Sequence, residues 1–171
     1  MRNLLFLFLA AAFIFGSNTV ASAQEWVKLA PEGSSFEVMM PGTAKTSEDT
    51  GSGDMGTYTT RLYIVSATGT IYLLGYVDYS KPERMDIKGE MKANRDNFLK
   101  PWKESKILTE KEITFGTHPG MEFTAQVDGR LATSRIIMVG KRPYQLVVMT
   151  ALDADQSDAA KFLNSFKLTR K

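Results

Sequence analysis

An α+β fold built on an antiparallel β-sheet is predicted by three features of the 171-residue sequence. Residues 57–66 and 70–79 are dense in Tyr, Thr, Ile, Val and Leu and flank the tight-turn pair Thr68-Gly69. Residues 121–127 and 130–139 form a second such arrangement around Asp128-Gly129. Two amphipathic segments, one between these hairpins and one at the C-terminus, supply helices, and strands grouped apart from helices indicate α+β.

Taken in order, residues 1–23 read as a secretory signal peptide. Arg2 is the lone positive charge, an apolar run extends from Leu4 to Gly16, and Ala21-Ser22-Ala23 is a small-residue cleavage site. Ser17, Asn18 and Thr19 break the run before the ~20 apolar residues that a spanning helix needs. The mature chain is therefore expected to begin at Gln24 and to form one domain over residues 24–171, without a membrane anchor and periplasmic or secreted. Trp26-Val27-Lys28-Leu29 and Phe36-Glu37-Val38-Met39-Met40 are short strands of an opening hairpin, stopped by Pro41-Gly42. Residues 43–56, polar and acidic with no apolar side chain between Ala44 and Met55, are expected to be a mobile loop.

In the first long hairpin the paired residues sum to 137, which sets Arg61 opposite Tyr76, Tyr63 opposite Leu74 and Val65 opposite Tyr72 on one face. Tyr58, Leu62, Ile64, Leu73 and Val77 take the other. Residues 83–102, opened by Lys81-Pro82, place Ile87, Met91, Phe98 and Trp102 at helical spacing, with Glu83, Asp86, Glu90 and Arg95 assigned to the polar side. Residues 107–115 follow as a strand, and residues 116–120 as a loop carrying His118 and Pro119. In the second long hairpin the pairs sum to 257, which sets Glu122 opposite Arg135 beside Thr124 and Thr133. Met121, Phe123, Ala125, Ile136 and Met138 line the opposite face. Residues 144–151 are a strand apolar on both sides, so the sheet needs cover on both faces. Asp155 starts a final helix with Ala159, Phe162, Leu163 and Phe166 as its buried stripe.

Charge and composition remove whole classes of function. Loss of Arg2 leaves 20 basic residues against 19 acidic, a net charge of +1, whereas nucleic-acid binders carry a large clustered basic excess. No cysteine is present, so disulfides, thiol chemistry and a lipid-acceptor thiol are all excluded. The 148 residues after the signal are enough for a conventional core without a metal or a disulfide.

Several short motifs, spread over the whole mature chain, carry a family resemblance. Trp26 with Phe36-Glu37-Val38-Met39-Met40-Pro41-Gly42, Pro119-Gly120-Met121-Glu122-Phe123, Gly140-Lys141-Arg142-Pro143-Tyr144-Gln145-Leu146 and Phe162-Leu163-Asn164-Ser165-Phe166-Lys167-Leu168 together resemble the PsbP-like group. That group holds extrinsic subunits of photosystem II and many small exported bacterial proteins. The resemblance implies a sheet sandwiched by helices and non-enzymatic binding or assembly. It carries no catalytic residue onto positions here, and no marker of the photosynthetic members is present, so their partners are not implied.

The residues themselves offer little catalytic chemistry. Gly51, Gly53 and Gly56 match G-x-G-x-x-G, but the motif leads into a strand and not into the helix that a dinucleotide site requires. Asp153, Asp155 and Asp158 lack the central Gly and distal Glu of a calcium loop, and helix capping explains them. His118 is the only imidazole, and neither G-x-S-x-G nor S-x-x-K occurs, which disfavours a serine hydrolase. One histidine and no thiolate suit zinc or copper poorly, so no metal and no cofactor is expected. A two-carboxylate glycosidase needs only acids, yet most acids here fall in loops or on the polar helix side.

Two clusters remain as candidate binding residues. Arg61 with Tyr63, Tyr72 and Tyr76 has the composition of a protein contact surface, or else is a Tyr-rich face packed under a helix with Arg61 snorkelling at its edge. Glu122 with Arg135 is a structural pair inside a sheet, or else lines a groove and orients a polar ligand. The expected function is a non-catalytic binding or accessory protein of the bacterial envelope that contacts another envelope protein. The alternatives are a small-ligand carrier with a pocket between the sheet and the helix of residues 83–102, and a hydrolase. No nucleic-acid partner is expected.

Overall fold

Both tight turns have the backbone the sequence asks of them. Thr68 and Gly69 take φ of 45° and 77°, and Asp128 and Gly129 take 42° and 76°, so each pair supplies the two consecutive positive φ values of a twist-compatible hairpin turn. The computed structural model describes residues 25–169, and the proposed signal segment lies outside them. Its strands are β1 (Val27–Leu29), β2 (Phe36–Met40), β3 (Lys45–Gly53), β4 (Gly56–Ala67), β5 (Thr70–Tyr79), β6 (Ser105–Phe115), β7 (His118–Val127), β8 (Arg130–Val139), β9 (Arg142–Ala151) and β10 (Lys167–Leu168). The helices are α1 (Ile87–Leu99) and α2 (Ser157–Ser165).

Seven strands form one antiparallel sheet in the order β3-β4-β5-β9-β8-β7-β6, so two meanders meet along the β5–β9 seam. The registers agree with the expected pairings: Arg61 faces Tyr76, Tyr63 faces Leu74, Val65 faces Tyr72 and Glu122 faces Arg135. One face is covered by α2 and a small sheet in the order β1-β2-β10, the other by α1. The architecture is thus α+β with helices on opposite faces. Phe36, Tyr63, Tyr72, Tyr144, Phe162 and Phe166 build the core on the α2 side. Phe98, Phe123, Ile136, Met138 and Val147 build the core on the α1 side. No helix among the described residues is long and apolar enough to cross a membrane.

Five expectations are corrected. Residues 43–56 are not a mobile loop: Lys45–Gly53 is a nine-residue edge strand that pairs with β4 throughout. It is held by backbone hydrogen bonds rather than apolar burial, and its exposed charges suit a sheet edge. His118 and Pro119 belong to β7 and pair with Phe115 and Thr114, so the loop shrinks to Gly116-Thr117. The helix does not run unbroken from residue 83. Pro82–Arg84 is a single 3₁₀ turn, and α1 restarts after Asp86, whose carboxylate accepts from the Lys88 amide at 3.2 Å. Glu90, assigned to the polar side, is buried at 7% exposure because a strand residue, Tyr79, reaches it. At α2 the N-cap is Gln156, and Asp155 accepts from the amide and hydroxyl of Ser157 from one position earlier.

Candidate functional site

A concavity lies between α1 and the sheet. Its volume is about 310 Å³, and it is lined by β3, β4, β5 and β9 with Asn94 of α1. Strand alternation explains the lining. The α1-facing positions Tyr58, Thr60 and Leu62 of β4, Leu73, Gly75 and Val77 of β5, and Pro143 and Gln145 of β9 lie side by side in register. Gly75 sits in the floor, and a Cβ there would stand 2.6 Å from Leu62 Cδ2, so only glycine leaves Leu62 in place.

Two buried amides belong to this wall. Asn94 Nδ2 donates to the Glu90 carbonyl at 2.9 Å and to Glu90 Oε1 at 3.0 Å, while the Tyr79 hydroxyl donates to the same Oε1 at 2.6 Å. Burial, reinforced by the neighbouring Glu90, raises the Tyr79 phenol pKa well above its ordinary value. Gln145 Nε2 donates to Ser134 Oγ at 3.1 Å. Both amide side chains are more than nine-tenths buried.

The candidate residues from the sequence lie on the opposite, α2-facing side of the sheet. Tyr63, Tyr72 and Tyr76 are buried at 7%, 2% and 6% exposure, stacked with Phe36, Tyr144 and Phe162, so their rings are core and not an exposed contact surface. Burial, with Tyr76 alongside, pushes the Tyr63 hydroxyl up to about 12. Arg61 sits at the rim of this core, its guanidinium 5.7 Å from the Tyr76 ring. It bonds Glu48 at 2.7 Å and Asp78 at 3.1 Å, and Arg142 holds the other Asp78 oxygen at 2.6 Å. Asp78, Arg142 and Glu48 were not singled out in the sequence, since their meeting depends on the β3–β4–β5–β9 order. The sum-to-137 register, which sets Asp78 beside Thr59, held the only available hint.

Glu122 and Arg135 form a closed clamp. Arg135 donates twice to Glu122 Oε2, at 3.0 and 2.8 Å, and once to the Leu163 carbonyl near the end of α2, at 2.8 Å. Lys111 reaches the other Glu122 oxygen at 2.8 Å. Burial alone would raise the Glu122 pKa, but hydrogen bonds from Lys111 and Arg135 outweigh it and hold the carboxyl below its ordinary range. The pair ties α2 to the sheet and does not border the cavity, which opens on the other face. His118 makes no hydrogen bond to a serine or a carboxylate, and no trio of acids and histidine is close enough to hold a metal, among the described residues.

No family model and no curated protein matches the chain. Solved structures do. The chain is similar to cyanobacterial PsbP (CyanoP) from Synechocystis sp. PCC 6803, with 11% identity and a TM-score of 0.48, over 90% of this chain and 98% of that one. It is also similar to the Ran-binding protein Mog1p of Saccharomyces cerevisiae, with 11% identity and a TM-score of 0.49, over 85% of this chain and 96% of that one.

Proposed function

We propose that the protein is an exported, non-catalytic binding protein that holds a small ligand in the cavity between α1 and the sheet. The observation that carries this reading is the cavity itself: about 310 Å³, with an apolar floor of Leu62, Leu73 and Val77 and a few fixed polar groups. Largely preformed, mostly apolar concavities with a small number of placed polar groups are what ligand sites look like. Export is supported by the charge, apolar run and cleavage triplet of residues 1–23. A reaction is disfavoured because the only imidazole, His118, makes no hydrogen bond to a serine or a carboxylate among the described residues.

A second reading rests on the sheet edge. β6 is an eleven-residue edge strand, nearly all exposed, with Ile107 and Leu108 at 39% and 48% exposure, a surface to which an extended segment of an envelope protein could add as a strand. Native mass spectrometry of protein purified gently from its own envelope separates the two. An excess small-molecule mass, lost on denaturation, is the expected result. A co-purifying polypeptide with no small-molecule mass favours the edge-strand reading, and a mass that still includes residues 1–23 overturns export.

A further inference from the structure

The amides and the acid that face the cavity present oxygen, while the Ser47 and Thr60 hydroxyls in its lining can donate or accept. Asn94 spends its NH₂ on Glu90, where both partners are oxygens, so the amide nitrogen is fixed there and Oδ1 is left without a partner among the described residues. Gln145 spends one Nε2 hydrogen on Ser134, and its Oε1 has no partner among the described residues. Behind Asn94, the Glu90 carboxylate is buried with no cation paired to it among the described residues, so the Asn94 dipole is polarised with its negative end away from Glu90.

The mouth of the cavity has the same sign. β3 alternation puts Ser47 and Asp49 on the α1 side, opposite Leu62 and Thr60, while Glu48 turns to the other face and is neutralised by Arg61. Asp49 is exposed and has no ion-pair partner among the described residues, and no Lys or Arg lines the cavity. A carboxylate or phosphate ligand would find no donor cation there. Tyr58, also in the lining, offers aromatic surface, which favours a cation over an anion.

We propose that the cavity selects a small primary ammonium ion on a short apolar body, the ammonium donating to Asp49 and the buried amide oxygens while the body lies on Leu62, Leu73 and Val77. The proposal rests on the cavity being the binding site. Amide-resolved NMR titration of the mature protein with hexylammonium, hexanol and hexanoate tests it, because the three probes share one apolar chain. Saturable shifts at Leu62, Leu73, Gly75, Val77 and Asn94 with hexylammonium, and binding of hexanoate at least about tenfold weaker, are expected. Asp49→Asn, an exposed and unpaired position, should weaken hexylammonium by about five- to tenfold and leave hexanol unchanged. Equal binding of all three probes overturns the ammonium selectivity while leaving a carrier of apolar ligands. Tighter binding of hexanoate, or an unchanged Asp49→Asn, also overturns it. No shift at these residues with any probe overturns the cavity as the binding site as well.

Discussion

Tyr79→Phe removes one oxygen and tests how the cavity wall is held. The Tyr79 hydroxyl donates to Glu90 Oε1 at 2.6 Å, both side chains are buried, and the Asn94 amide is the other side-chain donor to that oxygen. A hydrogen bond to a carboxylate contributes about 1.5–3 kcal/mol net, and removing its donor leaves the buried acceptor short of a partner. In a domain of this size that loss corresponds to a fall in Tm of about 4–10 °C. Urea titrations of wild type, Tyr79→Phe, Glu90→Leu and the double variant supply a cycle, with the midpoint moving and the slope unchanged. Glu90→Leu strands the Tyr79 hydroxyl and the Asn94 amide, so the double variant should recover part of that loss, with a coupling of about 1–2 kcal/mol. A Tyr79→Phe cost below about 0.5 kcal/mol, or a coupling near zero, would refute the account of this wall.

Other perturbations follow from the same contacts. Arg135→Met breaks the twofold bond to Glu122 and releases the Leu163 carbonyl, and a loss of about 2–3 kcal/mol is expected in chemical denaturation. Glu122 has its pKa lowered in the folded state, so its stabilisation is present above the ordinary carboxylate range and is lost as pH falls through the folded value. Unfolding midpoints followed from about pH 6 to pH 2 should therefore fall less steeply in Arg135→Met than in wild type. Thr68 holds φ of 45°, costly for a β-branched residue, and Thr68→Asn should raise stability by about 1 kcal/mol in thermal unfolding; a loss would contradict the turn.

The hairpins were legible because their information is local: Asp128-Gly129 and Thr68-Gly69 fix the register, and register fixes which residues share a face. The Glu122–Arg135 pairing followed from counting. β3 was not legible, since a strand of Lys, Thr, Ser, Glu, Asp and Gly carries no hydrophobic alternation and is ordered only by the neighbour it pairs with. Glu90 misled for a related reason. Its helical position looks polar, and only Tyr79, brought across from β5, makes its burial tolerable. The cavity was anticipated between helix and sheet but bordered by the wrong residues, because the face covered by each helix depends on chain crossings that no short motif encodes. The tyrosine-rich face was legible as a cluster that a helix could cover, whereas the identity of that helix as α2 and the added cover of the β1–β2 hairpin were not.

The β5–β9 seam also bears on how the molecule comes into being. Ile71 pairs with Met149 and Tyr76 with Tyr144, so the centre of the sheet joins residues separated by nearly half the chain. Pairings of such long range close late and slow the search for the native state. The first meander can zip up by itself, but Pro143 and Gln145 wall the cavity only once the last long strand has docked. The cavity is then complete only when the fold is, and a chain stalled short of β9 lacks the wall that Pro143 and Gln145 supply.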